Sequence, residues 1–194
     1  MLAARMSVEV RAVTAEEFPV LVPALVELFV ATVDDGAPLG FILPVTPAAA
    51  LEYWRSIGPE LRTGSRVLVG AFSDGRIAGS GQLHLPGLPN ARHRAEVQKL
   101  FVDRTLRGYG VGGALVSALH ACARQRGRSL MLLNARREVA ERFYKPLGYK
   151  EVGVIPGYSL GSHGERNDTV ALYMELGDGR LTTAGDRGRT TGDG

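Results

Sequence analysis

Three lysines and a single cysteine are all that the 194-residue chain holds of either type. One thiol, Cys122, excludes an internal disulfide framework. The four histidines, His84, His93, His120 and His163, are too far apart in sequence to form a local metal-ligand pair, so no metal is expected. Long apolar runs are also missing. The longest, from Phe18 to Val33, is shorter than a bilayer requires and is broken by Pro19, Pro23 and Glu27, which makes it a core helix and argues against a membrane partner. Met1 to Ser7 lacks the basic region and apolar core of a secretion signal, and a cytoplasmic location is the expectation.

Because only Lys99, Lys145 and Lys150 are lysines, the other members of the 23 bases are arginines, set against 20 acids. The net charge of +3 and pI near 9.2 are too weak a bias for a nucleic-acid partner, but they suit a small ligand carrying phosphate. Arginine grips phosphate with two hydrogen bonds, although a GC-rich genome would give the same bias. At this length, with 45% hydrophobic residues, one substantial core is expected.

Val8 to Val13 alternates like a half-buried strand, and Thr14 with Glu17 opens a helix that should run to about Thr32. Residues 34–44 read as loop. Thr46 and Pro47 have the order of an N-cap and first helical residue for a second helix, ending near Gly58. Val67 to Phe72 and Ile77 to Leu85 form a hairpin around Ser73-Asp74-Gly75. A third long strand, from about Arg94 to Val102, contains a slip. Its polar Glu96 and Gln98 share parity with the apolar Leu100 and Val102, which requires a bulge near Gln98 or Lys99, or burial of the strand's end on both faces.

Val111, Ala114, Leu115, Ala118, Leu119 and Cys122 then form one helical stripe ending near Gly127. Leu130 to Leu133 is a short strand, Glu138 to Lys145 a short helix stopped by Pro146, and Val152 to Ile155 and Val170 to Leu176 the closing strands. Residues 177–194 are glycine, threonine and charge without an apolar period, as expected of a flexible C-terminal tail; the folded domain is placed at 1–176.

The chemistry concentrates between Val97 and Gly113. Arg107-Gly108-Tyr109-Gly110-Val111-Gly112-Gly113 follows a strand and opens a helix, so amide hydrogens near its first turn can converge on one anion, helped by the dipole and by Arg107. A P-loop would need Gly-Lys-Ser or Gly-Lys-Thr, which Gly112-Gly113-Ala114 does not supply. Gly108, Gly110 and Gly113 do spell G-x-G-x-x-G. A dinucleotide site, however, wants the strand to enter the glycines directly and an acid at the end of the next strand, whereas five residues intervene here and the next strand ends at Leu133-Asn134.

Arg107-x-x-Gly110-x-Gly112 after Leu100-Phe101-Val102 resembles the acetyl-CoA motif of the GCN5-related N-acetyltransferases (GNAT). Ala140-Glu141-Arg142-Phe143-Tyr144-Lys145-Pro146-Leu147-Gly148-Tyr149 is similar to the family's second signature, and the order of elements over residues 8–176 agrees. The resemblance implies an α/β fold, with a mixed central sheet of about seven strands and helices on both faces. A narrower likeness, to tabtoxin-resistance acetyltransferases, rests on Gly36 to Phe41, Arg94 to Leu100 and Val154 to Tyr158.

By this resemblance, Leu100, Phe101 and Val102 pair with the pantetheine arm of acetyl-CoA, while Arg107, Gly108, Tyr109, Gly110, Val111, Gly112 and Gly113 hold its diphosphate. Glu96 is the base for the acceptor amine and Tyr144 the proton donor to the departing sulfur. Where the tabtoxin-resistance proteins carry an aspartate this chain has Asn134, which hydrogen-bonds without taking a proton; it is retained as a coenzyme A contact. Arg137 stands where many members have a cofactor-binding asparagine. The family closes its substrate cleft with the first helix pair, so Asp34, Asp35, Tyr53 and Trp54 are candidates for the acceptor pocket. Cys122 continues an apolar stripe, which favours direct transfer over a covalent acetyl-enzyme. The expected acceptor is a primary amine on a small molecule such as an antibiotic or amino-acid-like toxin. Protein N-termini or lysines, and a catalytically silent acyl-CoA-binding module, are the alternatives, and a homodimer is left open.

Overall fold

A computed structural model describes residues 7–37, 39–161 and 163–177, so the tail expected at 177–194 lies, apart from Gly177, outside the described residues. Strand β1 is Val8–Val13. It leads through a turn into helix α1, Phe18–Asp34. The turn is held by the reciprocal bonds that Thr-x-x-Glu allows: the Glu17 amide donates to Thr14 Oγ1 at 3.2 Å and the Thr14 amide to the Glu17 carboxylate at 3.1 Å.

Helix α2 is Pro47–Thr63, with the Thr46 hydroxyl accepting from the Ala49 amide and Gly64 closing it in the left-handed region. It therefore passes five residues beyond the expected stop at Gly58. The reason is packing: Trp54, Ile57 and Gly58 are buried on one stripe, and a Cβ at Gly58 would stand 3.5 Å from the Phe18 ring. Gly58 is a contact with α1, and Pro59 is carried within the helix.

Strands β2, Arg66–Ser73, and β3, Arg76–His84, form the expected hairpin. Asp74 at φ +49° and Gly75 at φ +76° supply the two positive φ values that a two-residue turn of this kind requires. Strand β4, Arg94–Val102, contains the bulge. Two steps along β3, from Ser80 to Gln82, oppose three along β4, from Phe101 to Gln98, and Lys99 sits there at φ +48°. The bulge resolves the slip in the sequence. Val97 and Leu100 both face α3, while Phe101 turns to α1 and α2.

Helix α3 is Val111–Gln125, strand β5 Leu130–Ala135, β6 Lys150–Leu160 and β7 Arg166–Glu175. All three strands differ in extent from the sequence reading, because backbone pairing with neighbours continues past the apolar residues that marked them. The helix expected at residues 138–145 is instead composite. Helix α4, Arg137–Val139, passes into a π-turn at Ala140–Tyr144 and a 3-10 turn at Lys145–Leu147 that contains Pro146, and Gly148 at φ +96° ends it.

The seven strands make one mixed sheet in the order β1-β2-β3-β4-β5-β7-β6. One core lies between the sheet and α3 with the π-turn, the other between the sheet and the α1–α2 pair. In the second, Phe29 is fully buried, its centroid 5.1 Å from Phe41, 5.6 Å from Tyr53, 5.9 Å from Trp54 and 5.7 Å from Phe101. Truncating such a residue to alanine costs about 3–5 kcal/mol, so this cluster fixes how the helix pair sits on the sheet.

A split sheet and its glycine cradle

The central pair of strands, β4 and β5, runs parallel and pairs only Arg94–Glu96 with Leu130–Leu132. Beyond Glu96 the two strands share no ladder. The β5-facing backbone groups of Val97 to Val102 are thus left for another partner, while Phe101 and Val102 still pair with Ser80 and Gly79 on the other side. A slot opens between the strands.

The glycine cradle stands at the head of this slot. Gly108 at φ +85° and Gly110 at φ +82° hold the turn in a conformation that side chains with a Cβ rarely adopt. A Cβ built at Gly108, Gly110 or Gly113 would meet nothing within 4 Å, so the backbone faces open space. Gly110 caps α3 without a side-chain hydrogen bond, and the first turn of the helix carries no acid. Its leading amides and dipole are therefore uncompensated, and they fit a diphosphate. Tyr109 is exposed beside them.

Arg107 is engaged elsewhere. Its Nε donates to the Val102 carbonyl at 3.1 Å and its Nη1 forms an ion pair with Asp35, which also meets Arg104 at 3.4 Å. Asp35, a candidate for the acceptor pocket in the sequence, ties the end of α1 to the segment that leads into the glycine turn.

In the π-turn, Phe143 packs so close to α3 that a Cβ at Gly112 would come to 3.2 Å from its ring. Next to it, the Tyr144 ring is buried against Phe143 and Tyr149, and its hydroxyl has no hydrogen-bond partner among the described residues. Burial raises the phenol's pKa well above its ordinary value, which keeps it a proton-bearing donor at any working pH. Tyr149 bonds to His120 at 2.8 Å and holds that side of the cluster, with burial lowering the imidazole's pKa.

Glu96 lies at the last paired position before the strands part, half-exposed on the α1–α2 face, with His84 Nδ1 4.0 Å from its carboxylate. No ion pair joins it to Arg92 or Arg94. Glu96, His84, Arg94, Leu88 and Leu132 line a cavity of about 330 Å³, near the lower limit for a small-molecule site. A larger cavity of about 940 Å³ lies between α1 and α2, lined by residues such as Phe18, Val22, Pro47 and Leu51, and includes none of the predicted site residues. The smaller one, lined by Glu96 where the strands part, is the acceptor candidate.

Asn134 is exposed and donates to the Tyr158 hydroxyl of β6 at 3.3 Å. Arg137 pairs with Glu141 and Glu151. Trp54 is wholly buried and is a core residue, whereas Tyr53 reaches Gln82 at 3.0 Å and burial pushes its phenol up to about 12. Cys122 is buried on the α3 side, consistent with a packing role.

The sequence reading assigned no role to Lys99, His84 or Arg66. Arg66 joins Glu60 at 2.7 Å with Gln82 and Gln98, each at 2.9 Å, beneath α2. A positive φ has no sequence signal in a lysine, and these partners are separated along the chain.

The family model for acetyltransferases (GNAT) matches residues 34–149. An uncharacterized N-acetyltransferase of Methanocaldococcus jannaschii is 38% identical over 69 residues, 34% of this chain and 30% of the relative, so the match spans under a third of that protein. Among solved structures, the proposed acetyltransferase yncA of Salmonella typhimurium, solved with its cofactor acetyl-CoA, is similar with a TM-score of 0.71 at 16% identity, covering 92% of this chain and 99% of that one. A ribosomal-protein-alanine N-acetyltransferase of Brucella melitensis follows at 0.69 and 18%, covering 86% and 99%. At such identities the likeness carries the fold.

Proposed function

Since the chain belongs to the acetyltransferase (GNAT) family, we propose that it moves an acetyl group from acetyl-CoA directly to a primary amine of a small molecule. The observation that carries this reading is the slot: a parallel strand pair that parts at Glu96, headed by an uncapped helix behind glycines that face open space. Main-chain groups of Leu100 to Val102 have the free edge for the pantetheine arm, and the amides of residues 108–113 the free donors for the diphosphate. Bound acetyl-CoA supplies a thioester whose C–S bond breaks as the amine's C–N bond forms.

Glu96 accepts the amine's proton, directly or through a water. The neutral amine's lone pair forms the C–N bond, the nitrogen becomes cationic as it does so, and its hydrogen is then acidic enough to pass to the carboxylate. Tyr144 offers its hydroxyl hydrogen to the departing sulfur. A thiol titrates near 8.5, below the raised phenol, so a strong hydrogen bond rather than a complete proton transfer is the role the buried tyrosine supports. The cavity of about 330 Å³ beside Glu96 favours a compact acceptor over a protein terminus or lysine.

The test pairs calorimetry of coenzyme A with thiol release from acetyl-CoA over a panel of small amines, amino-acid analogues, aminoglycosides and peptides. Binding plus turnover with a small amine is expected. Turnover with peptides alone would favour a protein substrate, and binding without turnover a silent module.

A further inference from the structure

Lys99 is out of place in three ways. It holds φ +48° within a strand, where only the bulge requires such a backbone. Its ammonium is partly buried, with burial and Arg66 lowering its pKa, yet it takes part in no ion pair among the described residues. It lies instead 5.3 Å from the centroid of the Tyr53 ring and 5.9 Å from that of Phe41, and donates to the Leu39 carbonyl, sixty positions earlier in the chain. An ammonium taken from water without a carboxylate, on a strained backbone, lowers stability and marks a site where something else is gained.

The gain lies in what the ammonium holds. Leu39 to Phe41 belong to the connection between α1 and α2, and the lysine that they meet stands three positions along β4 from Glu96. Gly40 in that connection has φ +83°, and a Cβ there would stand 2.7 Å from the Lys99 Nζ, so the glycine leaves the room the ammonium occupies. The same connection begins at Asp35, which is tied to Arg107. Bulge, glycine, carbonyl and two ring faces form one fitted contact.

We propose that Lys99 is a positioning residue, a latch that seats the α1–α2 connection on the bulge of β4 and so sets the acceptor side of the cleft, without touching the cofactor. The inference rests on the acetyl-transfer reading for its kinetic consequence, but not for the contact itself.

Two variants test it. Lys99→Met keeps the length and removes the charge; Gly40→Ala keeps the lysine and obstructs its seat. Both are expected to raise the acceptor KM by about ten- to a hundredfold, the ratio corresponding to a charge-assisted hydrogen bond, with the coenzyme A Kd unchanged. Lys99→Arg should restore part of the loss. Amide exchange read by mass spectrometry should speed up over residues 39–43 and not in α3. If Lys99→Met is folded and keeps both the wild-type KM and the wild-type exchange, or if KM and coenzyme A affinity weaken together, the latch is overturned. If it unfolds, Gly40→Ala decides by the same readings. Faster exchange at 39–43 in a protein that acetylates nothing would keep the latch and remove the acetyl-transfer reading.

Discussion

The two sides of the cleft are built from different materials. The proposed cofactor side is main chain: the free edge of β4, the amides leading α3, and glycines that shape the turn and leave room beside it. The proposed acceptor side is side chain: Glu96 with His84, and Lys99 with Tyr53 and Phe41, drawn from four separate stretches. A surface made of backbone binds whatever has the right repeating donors and acceptors and tolerates change at neighbouring positions. A surface made of side chains can be redrawn one residue at a time, which suits a shared cosubstrate facing a variable acceptor.

That division can be broken most forcefully at Gly110. Placing a carboxylate there, as Gly110→Asp, sets a unit charge against a diphosphate; at about 4 Å and an effective dielectric near 20 this is worth about 4 kcal/mol, so coenzyme A affinity by calorimetry should fall by about a hundredfold or more. Glu96→Gln should act on the other half alone, lowering kcat by about a hundred- to ten-thousandfold with coenzyme A binding intact. If it retains full activity, the base lies elsewhere. Tyr144→Phe deletes one hydrogen bond to a charge developing on sulfur and should slow thiol release by about ten- to a hundredfold, again without loss of coenzyme A affinity. Asp35→Asn is the finest probe, because this acid joins the two sides. Releasing Arg107 toward the cradle should tighten coenzyme A by no more than about fivefold, the scale of a surface ion pair, and a weakened affinity would mean that the pairing with Asp35 holds Arg107 in its working position.

The same division explains what the sequence disclosed. Main-chain features leave local marks: Thr14 with Glu17 announced the turn into α1, Asp74-Gly75 the hairpin, and the parity slip at Gln98 the bulge. The glycines at 108 and 110 announced the turn that opens α3. Gly58-Pro59 misled, because a glycine that serves helix packing has the same letter as one that ends a helix, and only the position of Phe18 separates them. The π-turn at Ala140–Tyr144 left no periodic trace within five residues. Lys99 and Arg66 were silent, since Leu39 lies 60 positions from the lysine and Gln82 and Gln98 lie 16 and 32 from the arginine, and no spacing rule reaches so far.

Only three residue pairs tie β4 to β5, so hydrogen bonding leaves the gap beyond Glu96 unmeasured. Nearby, the Phe143 ring edge that follows β5 rests on Gly112 at the start of α3. A single methyl group at that glycine would act as a shim, pressing on the π-turn from the helix while the side chains proposed for the chemistry stay as they were.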